Sequence, residues 1–131
     1  YRCDSYNSIN AYFQLAQLYL EKNMKEKLLE VSIMGMLTSV TRIEQILKER
    51  ELEYTYKNFN HFYYLATQYS DIIAWGIENK IWQGFFNFGQ AMEVNEFTEL
   101  AKDVYTQNVI YSPEEHWQKT SREKLKRLAE E

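Results

Sequence analysis

Leu29, Ile33, Met36, Val40, Ile43 and Leu47 follow one another at steps of 4, 3, 4, 3 and 4 residues. Such a row keeps its side chains on one face of a helix and on no face of a strand, where side chains alternate every second residue. The spacing predicts one long helix from Met24 to Arg50, roughly 40 Å at ~1.5 Å per residue. Val31, Met34 and Leu37 add apolar residues off this seam, so the middle of the helix should be covered on several sides. Gly35, Thr38 and Ser39 supply small side chains there, where a second helix can approach closely.

The remaining segments supply the covering helices. Ile9, Tyr12, Phe13, Ala16, Tyr19 and Leu20 mark an amphipathic helix capped by Ser5 or Ser8 and ending near Asn23. Asn58 or Asn60 offers the next cap, before a stripe of Phe62, Leu65, Ala66, Tyr69, Ile72, Ile73 and Gly76 that breaks at Asn79 and Lys80. Trp82, Phe85, Phe86, Gly89 and Met92 mark a shorter helix, and Asn95 caps another with Phe97, Leu100, Ala101 and Val104 inward. Ser112-Pro113-Glu114-Glu115 has the form of a helix start: a capping serine, a proline at the first helical position and a glutamate three residues after the cap. The helix beyond it carries only Trp117, Leu125 and Leu128 as strong apolar residues.

No segment alternates with period two over a strand's length, no Asn-Gly or Asp-Gly turn occurs, and the chain holds four Gly and one Pro. The fold expected is all-α: a single-domain helical bundle of five to six helices with one long central helix over about 24–50. Residues 1–112 form its core. Residues 113–131 form a C-terminal amphipathic helix, either part of the same domain or partner-binding.

Three segments share a phrase. Tyr12-x-x-Leu15-Ala16-x-x-Tyr19 recurs as Phe62-x-x-Leu65-Ala66-x-x-Tyr69 and as Phe97-x-x-Leu100-Ala101-x-x-Val104. The phrase resembles the first helix of a tetratricopeptide repeat, and the resemblance implies an alternative fold, a TPR-like helical repeat. A bundle helix writes the same phrase where Ala lets a neighbour come close.

Several chemistries find no residues to carry them. The two histidines, His61 and His116, sit in none of the spacings that hold a metal, and no metal or other cofactor is expected. Gly84 and Gly89 lie inside a helical pattern without the Lys-Ser/Thr of a phosphate loop. Glu49, Glu51 and Glu53 belong to a charged surface run, and His61 among Phe59, Phe62, Tyr63 and Tyr64 reads as structural. With no nucleophile–base pair legible, an enzyme is the least supported reading.

A net charge of −4 argues against a generally basic nucleic-acid binder. The longest run without a charge, Ser5 to Leu20, falls short of the ~18 apolar residues of a membrane span, so no membrane association is expected. The lone Cys3 and the absence of a basic-then-apolar leader make the cytoplasm the expected location, although a chain that opens on Tyr1 is either trimmed or a domain cut from a longer protein, and a targeting segment upstream would not be seen. The bias toward Asn, Lys, Ile, Tyr and Phe suits an AT-rich genome, such as that of a low-GC bacterium or its phage.

Two surfaces stand out. The first lies in the aromatic run from Tyr54 to Tyr69: with Phe62 and Tyr69 inward, Tyr63 or Tyr64 should lie at the rim, and exposed Tyr anchors protein partners at low entropic cost. Tyr54, Tyr56, Tyr63 and Tyr64, with Trp117, Leu125 and Leu128 of the last helix, are therefore the candidate partner-binding residues, a second copy in a homodimer being one such partner. The second is the cluster Lys119, Arg122, Lys124, Lys126 and Arg127, candidate contacts to an anion or nucleic acid, whose cations also oppose the helix dipole favourably. The function expected is a non-enzymatic helical protein–protein interaction or regulatory module. Its alternatives are a nucleic-acid-binding accessory protein using the basic helix, with Tyr stacking on unpaired bases, and a small-molecule sensor with an aromatic pocket between helices.

Overall fold

The computed structural model describes residues 6–50 and 55–130. Among them run seven helices and no strand: α1 (Tyr6–Glu21), α2 (Lys25–Glu49), α3 (Phe59–Ala66), α4 (Ser70–Glu78), α5 (Ile81–Val94), α6 (Thr98–Tyr111) and α7 (Glu115–Ala129). The fold is all-α. No helix among the described residues is long and apolar enough to cross a membrane.

The long helix stands where its spacing places it, between Met24 and Arg50. Two of the joints are closed by the same device. Asn23 and Glu96 adopt left-handed φ values of 57° and 68°. The next amide then reaches back over the helix end: Met24 N donates to Tyr19 O at 2.9 Å and Phe97 N to Met92 O at 2.9 Å. The second joint corrects the expected capping role of Asn95. That residue ends α5, its Nδ2 donating to Ala91 O (2.8 Å) and to Lys25 O (3.1 Å), and α6 begins after Phe97 with no side-chain cap.

The stripe from Phe62 to Gly76 is two helices rather than one, which gives seven among the described residues where five or six are expected. The last turn tightens, with Thr67 N donating to Tyr64 O and Gln68 N to Leu65 O, both at 3.1 Å, and the Thr67 hydroxyl (2.8 Å) and the Gln68 side-chain amide (3.2 Å) add two further bonds to the same Tyr64 O. Tyr69 is extended, and α4 restarts at Ser70. Arg50, at the end of α2, pairs with Asp71 in the first turn of α4. The start of the last helix also differs: Ser112 closes α6, and α7 begins at Glu115. The Ser112 hydroxyl accepts from Glu114 N at 3.3 Å, two residues on, and Gln118 Nε2 donates to Ser112 O at 2.6 Å.

On α2 the second half of the seam is buried as expected, with Met36, Val40, Ile43 and Leu47 in the core. In the first half the buried face is turned back by one residue. Leu28, Ser32, Gly35 and Ser39 point inward, while Ile33 is 39% exposed. The reason is the Phe13 ring of α1. A Cβ on Gly35 would lie 2.6 Å from Phe13 Cε1, and one on Gly84 of α5 would lie 2.1 Å from Phe13 Cε2 and Cζ. One ring thus spans the space between α2 and α5, and only glycine on either side admits it.

The hub is α5 rather than the long helix. It packs against α1, α2, α4, α6 and α7, whereas the main neighbours of α2 are α1 and α5. Its sequence explains this: Ile81, Trp82, Phe85, Phe86, Ala91 and Met92 bury sides all round the helix, as expected of an element enclosed by others. In the three copies of the tetratricopeptide-like phrase the common element is the alanine. Ala16, Ala66 and Ala101 are wholly buried, while Leu15, Leu100 and Phe97 are exposed and Phe97 precedes α6. The phrase marks where helices approach closely.

Candidate partner-binding surface

Helices α2, α5 and α6 and the start of α3 enclose an open groove of about 370 Å³. Buried Met36 and Val104 and half-buried Phe59 and Phe88 line its depth, and Tyr56 and Leu100 stand at its mouth, 43% and 55% exposed. Lys57, Asn58, Asn60 and Asp103 supply the polar lining.

The groove owes its shape to the entry into α3. Asn58 is extended (φ −161°, ψ 169°), and its Oδ1 accepts from His61 N at 2.8 Å. That cap fixes where α3 starts and holds the preceding residues off the helix axis. Tyr56 is thereby carried back over Phe62, with ring centroids 6.1 Å apart. Phe59, first residue of the helix, sits edge-on to Tyr63 (5.5 Å) and Phe85 (5.7 Å) and 5.9 Å from Phe88. A chain of packed rings therefore backs the groove.

The sequence-predicted anchors divide. Tyr56 reaches this surface. Tyr64 is exposed and meets Tyr111 edge-on at 5.4 Å. Tyr54 lies outside the described residues. Tyr63 requires correction: it is 0% exposed, lies 5.5 Å from the Trp82 ring and 5.2 Å from Phe85, and donates its hydroxyl to Asn108 Oδ1 at 2.6 Å. Burial pushes its phenol well above the ordinary tyrosine range. The short α3 turns Phe62, Tyr63 and Ala66 inward, and only Tyr64 of the adjacent pair faces out.

Trp117, Leu125 and Leu128 also differ from expectation, because the chain's own helices cover them. Trp117 lies 5.3 Å from the Phe86 ring, Leu128 is buried, and Leu125 is half-buried against the same cluster. Glu93 of α5 fastens this end: it accepts from the Tyr105 hydroxyl at 2.8 Å and pairs with Arg127. The basic cluster is consequently split. Lys119, Arg122, Lys126 and Arg127 are exposed, Arg127 while paired with Glu93, and Lys124 is half-buried. Burial first, then the Arg127 charge, pulls the Lys124 ammonium below its ordinary value.

The lining residues Met36, Lys57, Phe59, Asn60, Phe88, Leu100, Asp103 and Val104 were not among the anchors expected from sequence. Leu100 reads as an inward residue by spacing, and only its exposure in the fold identifies it. Among the described residues no group of three His, Cys, Asp or Glu could hold a metal ion.

The chain is similar to an uncharacterized protein of Treponema pallidum (strain Nichols), 24% identical over 105 residues, which cover 80% of this chain and 28% of that protein. The chain thus spans little more than a quarter of that relative's length. No family model matches the chain. No solved structure matches it.

Proposed function

We propose that this chain is a non-enzymatic helical module that binds a protein partner, a second copy included, through the groove between α2, α6 and the start of α3. The observation that carries this reading is the pairing of exposed Tyr56 and Leu100 with the buried apolar depth of Met36 and Val104. A large apolar side chain beside a concavity with packed aromatic walls has the form of an interface anchor, since it can be desolvated fully on docking. A small apolar ligand is the second reading, because the groove's volume falls within the ~300–1,000 Å³ of small-molecule sites.

Photo-crosslinking in the cell that makes the protein tests the first reading. A photoreactive residue in place of Tyr56 or Leu100 should give a discrete protein adduct, one in place of Glu49 should not, and Lys57→Glu should weaken the adduct. Equal labelling at Glu49 would overturn the reading. Adducts of small mass alone would favour the second.

A further inference from the structure

The groove at Met36 and Val104 is the deep end of a longer cleft. Helices α2 and α6 both pack on α5, and neither has the other among its main neighbours. Asn95, at the end of α5, bonds to Lys25 O at 3.1 Å, and α6 starts from that same place. Further on, Met36 and Val104 meet across the groove, so α2 and α6 run side by side in one direction. Leu29, Ile33 and Met36 therefore face Phe97, Leu100 and Val104 in two apolar rows about 10 Å long at ~1.5 Å per residue. Gly35, on the other side of Met36, faces Phe13 of α1, which leaves Ile33 and Leu37 on the side of α2 away from α1. Ile33, Leu37, Tyr56, Phe97 and Leu100 thus border one cleft, half of the large apolar residues exposed among those described. Such a concentration marks a binding face rather than scattered surface residues.

The charges flanking the rows are of one sign. Glu26 and Glu30 precede Ile33 and Leu37 at steps of 4, 3 and 4 on one shoulder of α2, and Glu96, Leu100 and Asp103 follow at 4 and 3 on the facing shoulder. All four carboxylates are exposed. The nearby amines turn elsewhere: Lys27 Nζ lies 5.9 Å from the Tyr19 ring of α1, and Lys102 pairs with Glu99 at 3.6 Å. Lys25 and Lys57 stand only at the two ends of the cleft. An apolar floor between acidic shoulders selects a partner that is apolar on one face and basic on either side. A second copy does not offer this among the described residues, because Lys119, Arg122 and Lys126 of α7 have no exposed large apolar residue beside them. The described residues also hold no strand edge to which an extended segment could add, whereas rows at steps of three and four match a helix.

We propose that the occupant of this cleft is an amphipathic α-helix of another protein, with large apolar side chains on one face and Lys or Arg along both flanks of that face. About two turns of such a helix fill the rows. Its basic flanks meet Glu26 and Glu30 on one side and Glu96 and Asp103 on the other, and Lys57 at the closed end meets the carbonyls at its C-terminal end. The inference rests on the groove being the partner site, and adds the partner's secondary structure and charge.

The test maps the segment that the partner presents. The full chain with a photoreactive residue in place of Ile33 or Leu100 is cross-linked in the cell that makes it, and the attached peptide is sequenced by mass spectrometry. The expected segment has apolar residues at steps of three and four and a net positive charge. Glu30→Lys with Asp103→Lys should cut the adduct by about fivefold or more, through lost charge complementarity. Glu78→Lys with Glu123→Lys makes the same change of net charge on α4 and α7 and should leave the yield nearly unchanged, both proteins keeping their helical circular dichroism. An acidic or neutral segment, one without helical spacing, a segment of this chain itself, or equal effects of the two charge reversals would overturn the proposal while leaving the groove as the partner site. No protein adduct at either position would overturn the groove reading and this inference with it.

Discussion

Gly84→Ala should destabilise the protein although alanine is the better helix former. The methyl group would stand 2.1 Å from Phe13 Cε2 and Cζ, where ordinary contact begins at 3.4 Å, so the ring would have to retreat by more than an ångström. The ring already faces Gly35 as well, across a gap that would not admit a Cβ (2.6 Å from Cε1 and 3.0 Å from Cδ1), and it is almost wholly buried. Overpacking of this kind costs roughly 3 kcal/mol at the upper end of the usual range, against about 1 kcal/mol gained in helix propensity, leaving a net loss of ~2 kcal/mol. Urea unfolding followed by circular dichroism should show the midpoint lowered with an unchanged slope, and the melting temperature should fall by roughly 8 °C. Phe13→Leu in the Gly84→Ala background should cost less than Phe13→Leu alone, because the smaller side chain makes room for the methyl. A Gly84→Ala protein as stable as the original, or more so, would refute the claim that this ring is boxed between two helices.

Val40→Asp should prevent folding, because it buries an unpaired charge, whereas Ile33→Asp, on the same sequence seam but 39% exposed, should cost about 1 kcal/mol or less in a thermal melt. Tyr63→Phe should cost about 1–3 kcal/mol in urea unfolding, because it leaves the wholly buried Asn108 amide without its partner; an unchanged midpoint would mean that the bond adds nothing. Stability should fall as pH rises above about 10, by ~1.4 kcal/mol per unit for each of Tyr63 and Tyr105, because their phenols stay protonated when folded and ionise when unfolded. Lys124 acts in the opposite sense: its folded value is depressed, so its share of stability rises as the pH approaches its ordinary value, and urea midpoints between pH 8 and 11 should show a shallow gain before the loss.

Element existence was legible wherever apolar spacing writes it. The ends of α2 fall at the expected residues, and Asn58 caps α3 as its position suggests. The face of α2 was less legible, because Ser32, Gly35 and Ser39 carry no apolar signal. What turns them inward is a ring on another helix. The break between α3 and α4 comes with a tightened last turn in which Thr67 N and two polar side chains all meet the Tyr64 carbonyl, a detail that periodicity does not record. Of the neighbours Tyr63 and Tyr64, one became core and the other surface, and the contact that separates them, Asn108, lies 45 residues from Tyr63. The groove draws its lining from α2, the entry to α3, α5 and α6, so exposure after folding is the only signal that assembles it.

The Tyr63–Asn108 bond has a consequence for the order in which the molecule assembles. Helices α1 with α2, α5 with α6 and α6 with α7 meet across joints of three residues, so these hairpins form with little loop to close. Helix α3 reaches α6 only after a detour of 45 residues, and it can dock only on a surface that α5 and α6 have already made. Its docking therefore belongs late on the folding route, after the rate-limiting barrier. Loss of the Tyr63 hydroxyl would then show itself almost wholly as faster unfolding, with the rate of folding nearly unchanged.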